Sequence, residues 1–185
     1  MVAEEDPGRA DYVGVQRLWV LSLPRTPFFS SPEAALRARG ATPDEEQRFG
    51  ALLLRAWDLH AEAIAADLTR SGEEHEVDYV ARTCLRVPVG GRFAAHAAAG
   101  TTLHLRAGVI GERAYDAGRP PIEVQAFADG VPLGSLQVPR TGRDGTGWRR
   151  LDVALPPGGT EREFVFAVSS PDRTRSFCLQ AWTTR

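Results

Sequence analysis

Ile122-Glu123-Val124-Gln125-Ala126-Phe127-Ala128-Asp129-Gly130-Val131-Pro132-Leu133-Gly134-Ser135-Leu136-Gln137-Val138 is the stretch that decides the fold. Apolar residues alternate with others on both sides of Asp129-Gly130, a dipeptide that tolerates the positive φ of a tight turn. The stretch therefore predicts two antiparallel strands closed as a β-hairpin. Toward the C-terminus, Trp148 to Leu155, Glu163 to Ser169 and Ser176 to Thr183 repeat the pattern. Toward the N-terminus, Val77 to Val87, Arg92 to Ala97 and Thr101 to Val109 do the same, with Gly90-Gly91 as a turn and Gly111 to Pro121 as a long exposed loop. Tyr12 to Leu23 adds one more, with Val15, Arg17, Trp19 and Leu21 on one face. Eight or nine short strands are about what a jelly-roll sandwich needs.

Between these strands the pattern changes. Ser31-Pro32-Glu33 reads as the start of a short helix ended by Gly40. Thr42 then offers an N-cap, Pro43 a first helical residue and Glu45 the partner of a capping box. A helix to about Arg70 would gather Phe49, Leu52, Leu53, Ala56, Leu59, His60, Ala63 and Ile64 on one stripe. The acidic stretch Gly72 to Glu76 reads as a loop. The expected architecture is mainly β: a jelly-roll-like antiparallel β-sandwich over 82–185, carrying an α-helical N-terminal elaboration over 1–81 that packs on it.

Bulk properties bound the function. A chain of 185 residues with 43% hydrophobic and 25% charged residues can bury a globular core. No apolar run reaches the roughly 18 residues of a membrane span. Met1-Val2-Ala3-Glu4-Glu5-Asp6 lacks a basic n-region and an apolar h-region, so the expectation is a cytoplasmic protein or a mature or excised form. All 22 basic residues are Arg, and Asn is absent, a usage that a GC-rich genome explains. Residues 1–81 hold 15 acidic side chains against 8 Arg, and residues 82–185 hold 9 against 14. That asymmetry suits an acidic N-terminal part lying against a basic sandwich, or a sandwich with an anionic partner. The Arg residues are too dispersed for a nucleic-acid footprint.

Catalytic signatures are sparse. His75-Glu76-Val77-Asp78-Tyr79 has Tyr where a zinc-protease motif needs its second His. The glycine-rich Gly142 to Gly147 leads into a strand, not the helix N-terminus a dinucleotide requires. His60 falls on the apolar stripe, His104 shares a strand face with Thr102 and Arg106 that suggests solvent, and His96 could face either way. No metal site or cofactor is indicated, although a backbone-coordinated calcium leaves no trace in sequence. Cys84 and Cys178 lie in strands at the two ends of the sandwich, which a jelly roll brings together. They read either as a disulfide, which would favour an extracytoplasmic or envelope location, or as two buried thiols.

Binding chemistry is better supplied. Tyr115 lies in one long loop, Arg143, Trp148 and Arg149 in or beside the next, and Arg173 in the loop before the last strand. Aromatic faces stack on sugar rings, and Arg forks grip carboxylate or sulfate. Trp148 also reads as a core anchor at a strand start, ahead of a ligand platform; Trp19 and Trp182 read as core. The run Leu103 to Val109, the hairpin Ile122 to Val138, and Trp148-Arg149-Arg150-Leu151-Asp152-Val153-Ala154-Leu155 together resemble galactose-binding-like jelly rolls of the carbohydrate-binding-module type. In those modules a loop-borne Trp opens a strand of the form W-x-x-L-x-V-x-L. The resemblance spans 82–185 and implies a non-catalytic domain that binds glycans, often attached to an envelope enzyme. The helical segment 30–71 departs from it. The expected function is thus an accessory domain holding a glycan, anionic ones included, through Tyr115, Trp148, Arg149, Arg143 and Arg173. The alternatives are a protein-interaction domain of an envelope assembly and a small hydrolase with a spatially assembled site.

Overall fold

A computed structural model describes residues 15–23, 33, 36–37, 40–59, 62–77, 80–111, 119–138 and 148–185. The chain forms two compact units, Met1–Ala63 and Ile64–Arg185.

In the first unit, β1 (Arg17–Ser22), β2 (Thr42–Phe49) and β3 (Leu52–Asp58) form an antiparallel sheet in the order β1-β3-β2. This corrects the long helix expected from Thr42. Gly50, at φ 61, turns the chain so that Phe49 pairs with Leu52. The run Leu52-Leu53-Leu54-Arg55-Ala56-Trp57 satisfies both a period of 3.6 and a period of 2, so periodicity alone cannot separate helix from strand. Tertiary burial decides: Val20, Leu36, Ala41 and Trp57 form one core, and helix propensity in Asp44-Glu45-Glu46-Gln47-Arg48 is overridden. Arg55 ties the sheet through Glu33 and Glu46. Glu33, Leu36 and Arg37 have helical backbone, while the rest of the short helix expected there, and His60, lie outside the described residues. Trp19 is also a correction. Strand alternation puts Val20 inside and leaves Trp19 46% exposed beside Arg17 and Leu21.

The second unit continues with β4 (Ile64–Asp67), β5 (Glu73–Val77), β6 (Val80–Pro88), β7 (Arg92–Ala98) and β8 (Thr102–Val109). Then come β9 (Ile122–Ala128), β10 (Val131–Val138), β11 (Arg149–Ala154), β12 (Glu161–Ser169) and β13 (Ser176–Thr184). Two antiparallel sheets result, ordered β10-β9-β12-β7 and β11-β8-β13-β6-β5, with β4 paired to the far half of β13. From β6 onward successive strands alternate between the sheets, except for the β9–β10 hairpin, which is the wiring of a jelly roll. The hairpin turns at Asp129 (φ 50) and Gly130 (φ 78), both left-handed as a two-residue primed turn requires. The acidic stretch expected as a loop is strand β5, paired with β6 from Glu73↔Cys84 to Val77↔Val80. Ile64–Asp67, expected at the end of the helix, is strand β4.

The alternating residues foreseen in the hairpin do form the core. Ile122, Val124, Ala126 and Ala128 meet Phe164, Phe166 and Val168 in their own sheet and Leu103, Leu105, Phe177 and Leu179 from the facing one. The first and last strands of the jelly roll are neighbours, and Cys84 and Cys178 are bridged across them with Cα atoms 5.6 Å apart. Such bonds persist in oxidising compartments. Among the described residues, no helix is long and apolar enough to cross a membrane.

Candidate functional site

Strand registers bring the strand ends that flank the connections flagged in the sequence to one end of the sandwich. Val109 of β8 lies opposite Phe177, Ile122 opposite Val138, Glu123 opposite Ser169, and Arg149 opposite Ala107. The ends of β6, β8, β10 and β12 and the starts of β7, β9, β11 and β13 therefore converge. Side chains fasten this end. Arg175, buried, donates to the carbonyl of Pro120, and Arg119 lies 3.6 Å from Asp172. The Asp172 carboxylate also accepts the Thr174 hydroxyl at 2.7 Å and its amide at 3.0 Å, which hold its carboxyl below the usual range. Arg173 is exposed over Gly90, and Arg86 donates to the Ser176 hydroxyl at 2.8 Å. Tyr115 and Arg143 lie outside the described residues.

Trp148 and Arg149 are not partners in one site. Alternation sends Leu151 of β11 toward the core, and Arg149 shares its side; Trp148, Arg150 and Asp152 share the other. Trp148 is only 6% exposed and packs with Val77, Cys84 and Cys178, so it acts as core of the outer face and presents no open stacking platform. The Arg82 guanidinium lies 4.5 Å from the centre of its ring. Sequence reading did not single out Arg82; strict alternation from Trp148 selects Arg150 and skips Arg149.

The outer face of the larger sheet continues in a polar row. Arg150 of β11 pairs with Arg106 of β8, which pairs with Gln180 of β13; one step along, Asp152, His104 and Trp182 align likewise. Arg106 is nearly fully buried and donates to Asp152 Oδ1 at 2.7 Å and to the Leu105 carbonyl at 2.9 Å. His104 joins Asp152 Oδ1 at 2.7 Å to Thr184 Oγ1 at 2.9 Å. His104, expected toward solvent, has a side chain only 13% exposed because this network covers it. The Thr184–His104–Asp152 chain has the connectivity of a hydrolytic relay, but Thr184 is fully buried. It locks strand ends together and offers no accessible nucleophile. Trp182, expected in the core, is half-buried on this face.

The hydrogen bond to His104, above all, and then that to Arg106 hold the Asp152 carboxyl down at about 2. Its folded value lies below its ordinary 3.8, so its stabilisation is full above that range and disappears as pH falls toward 2. Asp152→Asn is expected to cost about 1 kcal/mol at pH 7, the half-exposed carboxylate being screened, and to flatten stability between pH 4 and pH 2. Urea midpoints at the three pH values measure both effects.

Solved structures of carbohydrate-binding modules are similar to the chain. The CBM51-2 and INT domains of ZmpB from Clostridium perfringens match with a TM-score of 0.43 and 10% identity, over 77% of this chain and 30% of theirs. The CBM36-1 domain of a multidomain xylanase from the hindgut metagenome of Trinervitermes trinervoides matches with a TM-score of 0.40 and 8% identity, over 63% and 93%. A family 6 carbohydrate-binding module matches with a TM-score of 0.38 and 12% identity, over 66% and 88%. The chain thus spans under a third of the ZmpB structure. No family model and no curated protein matches the sequence.

Proposed function

We propose that the chain is a non-catalytic glycan-binding domain working outside the cytoplasm, with its ligand held at the loop-bearing end of the sandwich. The observation that carries this reading is the fastening of that end. Arg175 on Pro120 and Arg119 beside Asp172 tie the β8–β9 connection to the β12–β13 connection. Loops fixed on a rigid scaffold lose little freedom on binding, which matters most for ligands with few apolar contacts. Arg173 is exposed on this end as a donor for hydroxyl or acidic groups, and Tyr115 and Arg143 fall in sequence in the β8–β9 and β10–β11 connections. The Cys84–Cys178 bridge supports the compartment.

A glycan array on the intact chain, read at low and physiological salt, tests the proposal. Binding that survives physiological salt and falls at least about tenfold in Arg173→Ala is the expected result. Absence of binding at either salt rejects it. One observation favours a second reading, docking onto a partner protein: Trp19, Leu21, Phe49 and Leu52 are exposed on the small sheet.

A further inference from the structure

Among the described residues, the large apolar side chains left exposed gather on the first unit: Trp19, Leu21, Leu23, Phe49 and Leu52, against Ile64 and Val131 elsewhere. Strand registers make four of them one surface. Trp19 and Leu21 share a side of β1, and Leu21 lies opposite Leu54 of β3. Leu54 shares its side of β3 with Leu52, and Leu52 lies opposite Phe49 of β2. The other side of the same sheet buries Val20, Leu53 and Trp57. The sheet therefore has one covered face and one that carries a continuous apolar stripe. Exposures of 46%, 61%, 57% and 37% for Trp19, Leu21, Phe49 and Leu52 leave about 400–500 Å² of apolar surface open. A patch of that size marks an interaction surface.

The stripe is complementary to its own copy. A two-fold axis lying in the interface along β3 sets Leu52 and Leu54 against the same residues of a second chain. It lays Trp19 and Leu21 on β1 of each chain over Gln47 and Phe49 on β2 of the other. Charge sits at one end of the stripe: Arg17 lies 5.4 Å from the centre of the Trp19 ring and 3.2 Å from Asp44, and pairs with Glu45. The same axis brings Arg17 of each chain toward Asp44 and Glu45 of the other, whereas an axis across the strands would bury that charged end on Leu52 and Phe49. Two copies of the stripe supply about 800–1,000 Å², roughly the non-polar part of a standard interface of about 1,600 Å². Residues 1–63 hold 10 acidic side chains against 7 Arg, the wrong balance for an anionic membrane surface. We propose that this face of β1, β3 and β2 is a two-fold dimer interface between copies of this chain. It names the partner for the protein-docking reading above and holds whether or not the sandwich binds sugar.

Sedimentation equilibrium of the intact chain between about 1 and 100 μM tests it. A monomer–dimer equilibrium within that range is expected. Leu21→Glu should weaken it at least about tenfold, because dimerisation would then bury a carboxylate on an apolar face. Val131→Glu puts the same charge on an exposed apolar position of the second unit and should leave the equilibrium unchanged. Should Leu21→Glu fail to fold, Leu52→Cys decides the question: Leu52 lies at the axis, so mild oxidation should link two chains through it. The chain's own cysteines are bridged to each other and do not compete. Ser135→Cys, exposed on the second unit, should stay unlinked. A chain that is monomeric throughout overturns the interface, also where it floats with anionic vesicles or binds another protein. A dimer that tolerates Leu21→Glu, or that links through Ser135→Cys as readily as through Leu52→Cys, overturns it as well.

Discussion

Replacing Cys84 and Cys178 together by alanine is expected to remove about 4–5 kcal/mol from the stability of the sandwich. The two cysteines are 94 residues apart, so the bridge closes almost the whole jelly roll and denies the unfolded chain much of its entropy. A domain's total stability is only about 5–15 kcal/mol, so the loss takes a large share of it. Alanine is the right replacement because both positions are buried, and serine would bury unsatisfied hydroxyls. Thermal unfolding should show a drop in Tm on the order of 15 °C. Dithiothreitol should impose a similar drop on the parent chain and none on the variant. Equal Tm values for all samples would mean that the bridge contributes nothing.

Trp148→Ala should cost a further large amount, about 3–5 kcal/mol as for a buried aromatic. The indole fills the space over Val77 and the disulfide and carries Arg82 on its face, so truncation leaves a cavity and strands a partly buried guanidinium. Because it touches the bridge, its effect will not add to that of the cysteine variant, and a double-mutant cycle should give a coupling of roughly 0.5–3 kcal/mol. Denaturant unfolding of the four proteins measures it. A Trp148→Ala protein as stable as its parent, but unable to bind sugar, would return Trp148 to the role of an exposed platform.

Much of the second unit was legible in the sequence because one period governs it. From Arg92 to Ser169 each strand is short and is followed within two residues by Gly, Pro or Asp, so the pattern had no helical competitor. The sequence left Cys84 and Cys178 open between a bridge and two buried thiols; the pairing of the first and last strands of the jelly roll brings them together. The first unit was misread where Leu52-Leu53-Leu54 fits both periods and Thr42-Pro43 imitates a helix start. There, the turn at Gly50 was the deciding residue. The candidate site was only partly legible. Loop residues such as Arg173 announce themselves by position, but Arg82 reaches the Trp148 ring only because β6 and β11 lie in the same sheet, with β8 and β13 between them. The relay of His104 with Asp152 and Thr184 joins residues 48 and 80 positions apart, a link that no local pattern carries.

The most direct test is to map backbone amide shifts of the isotopically labelled intact chain during titration with an acidic oligosaccharide at physiological salt. Saturable shifts are expected at the loop-bearing end, in residues 86–91, 119–123 and 170–176. Shifts confined to β1, β2 and β3, or none at saturating sugar, would contradict glycan binding at that end.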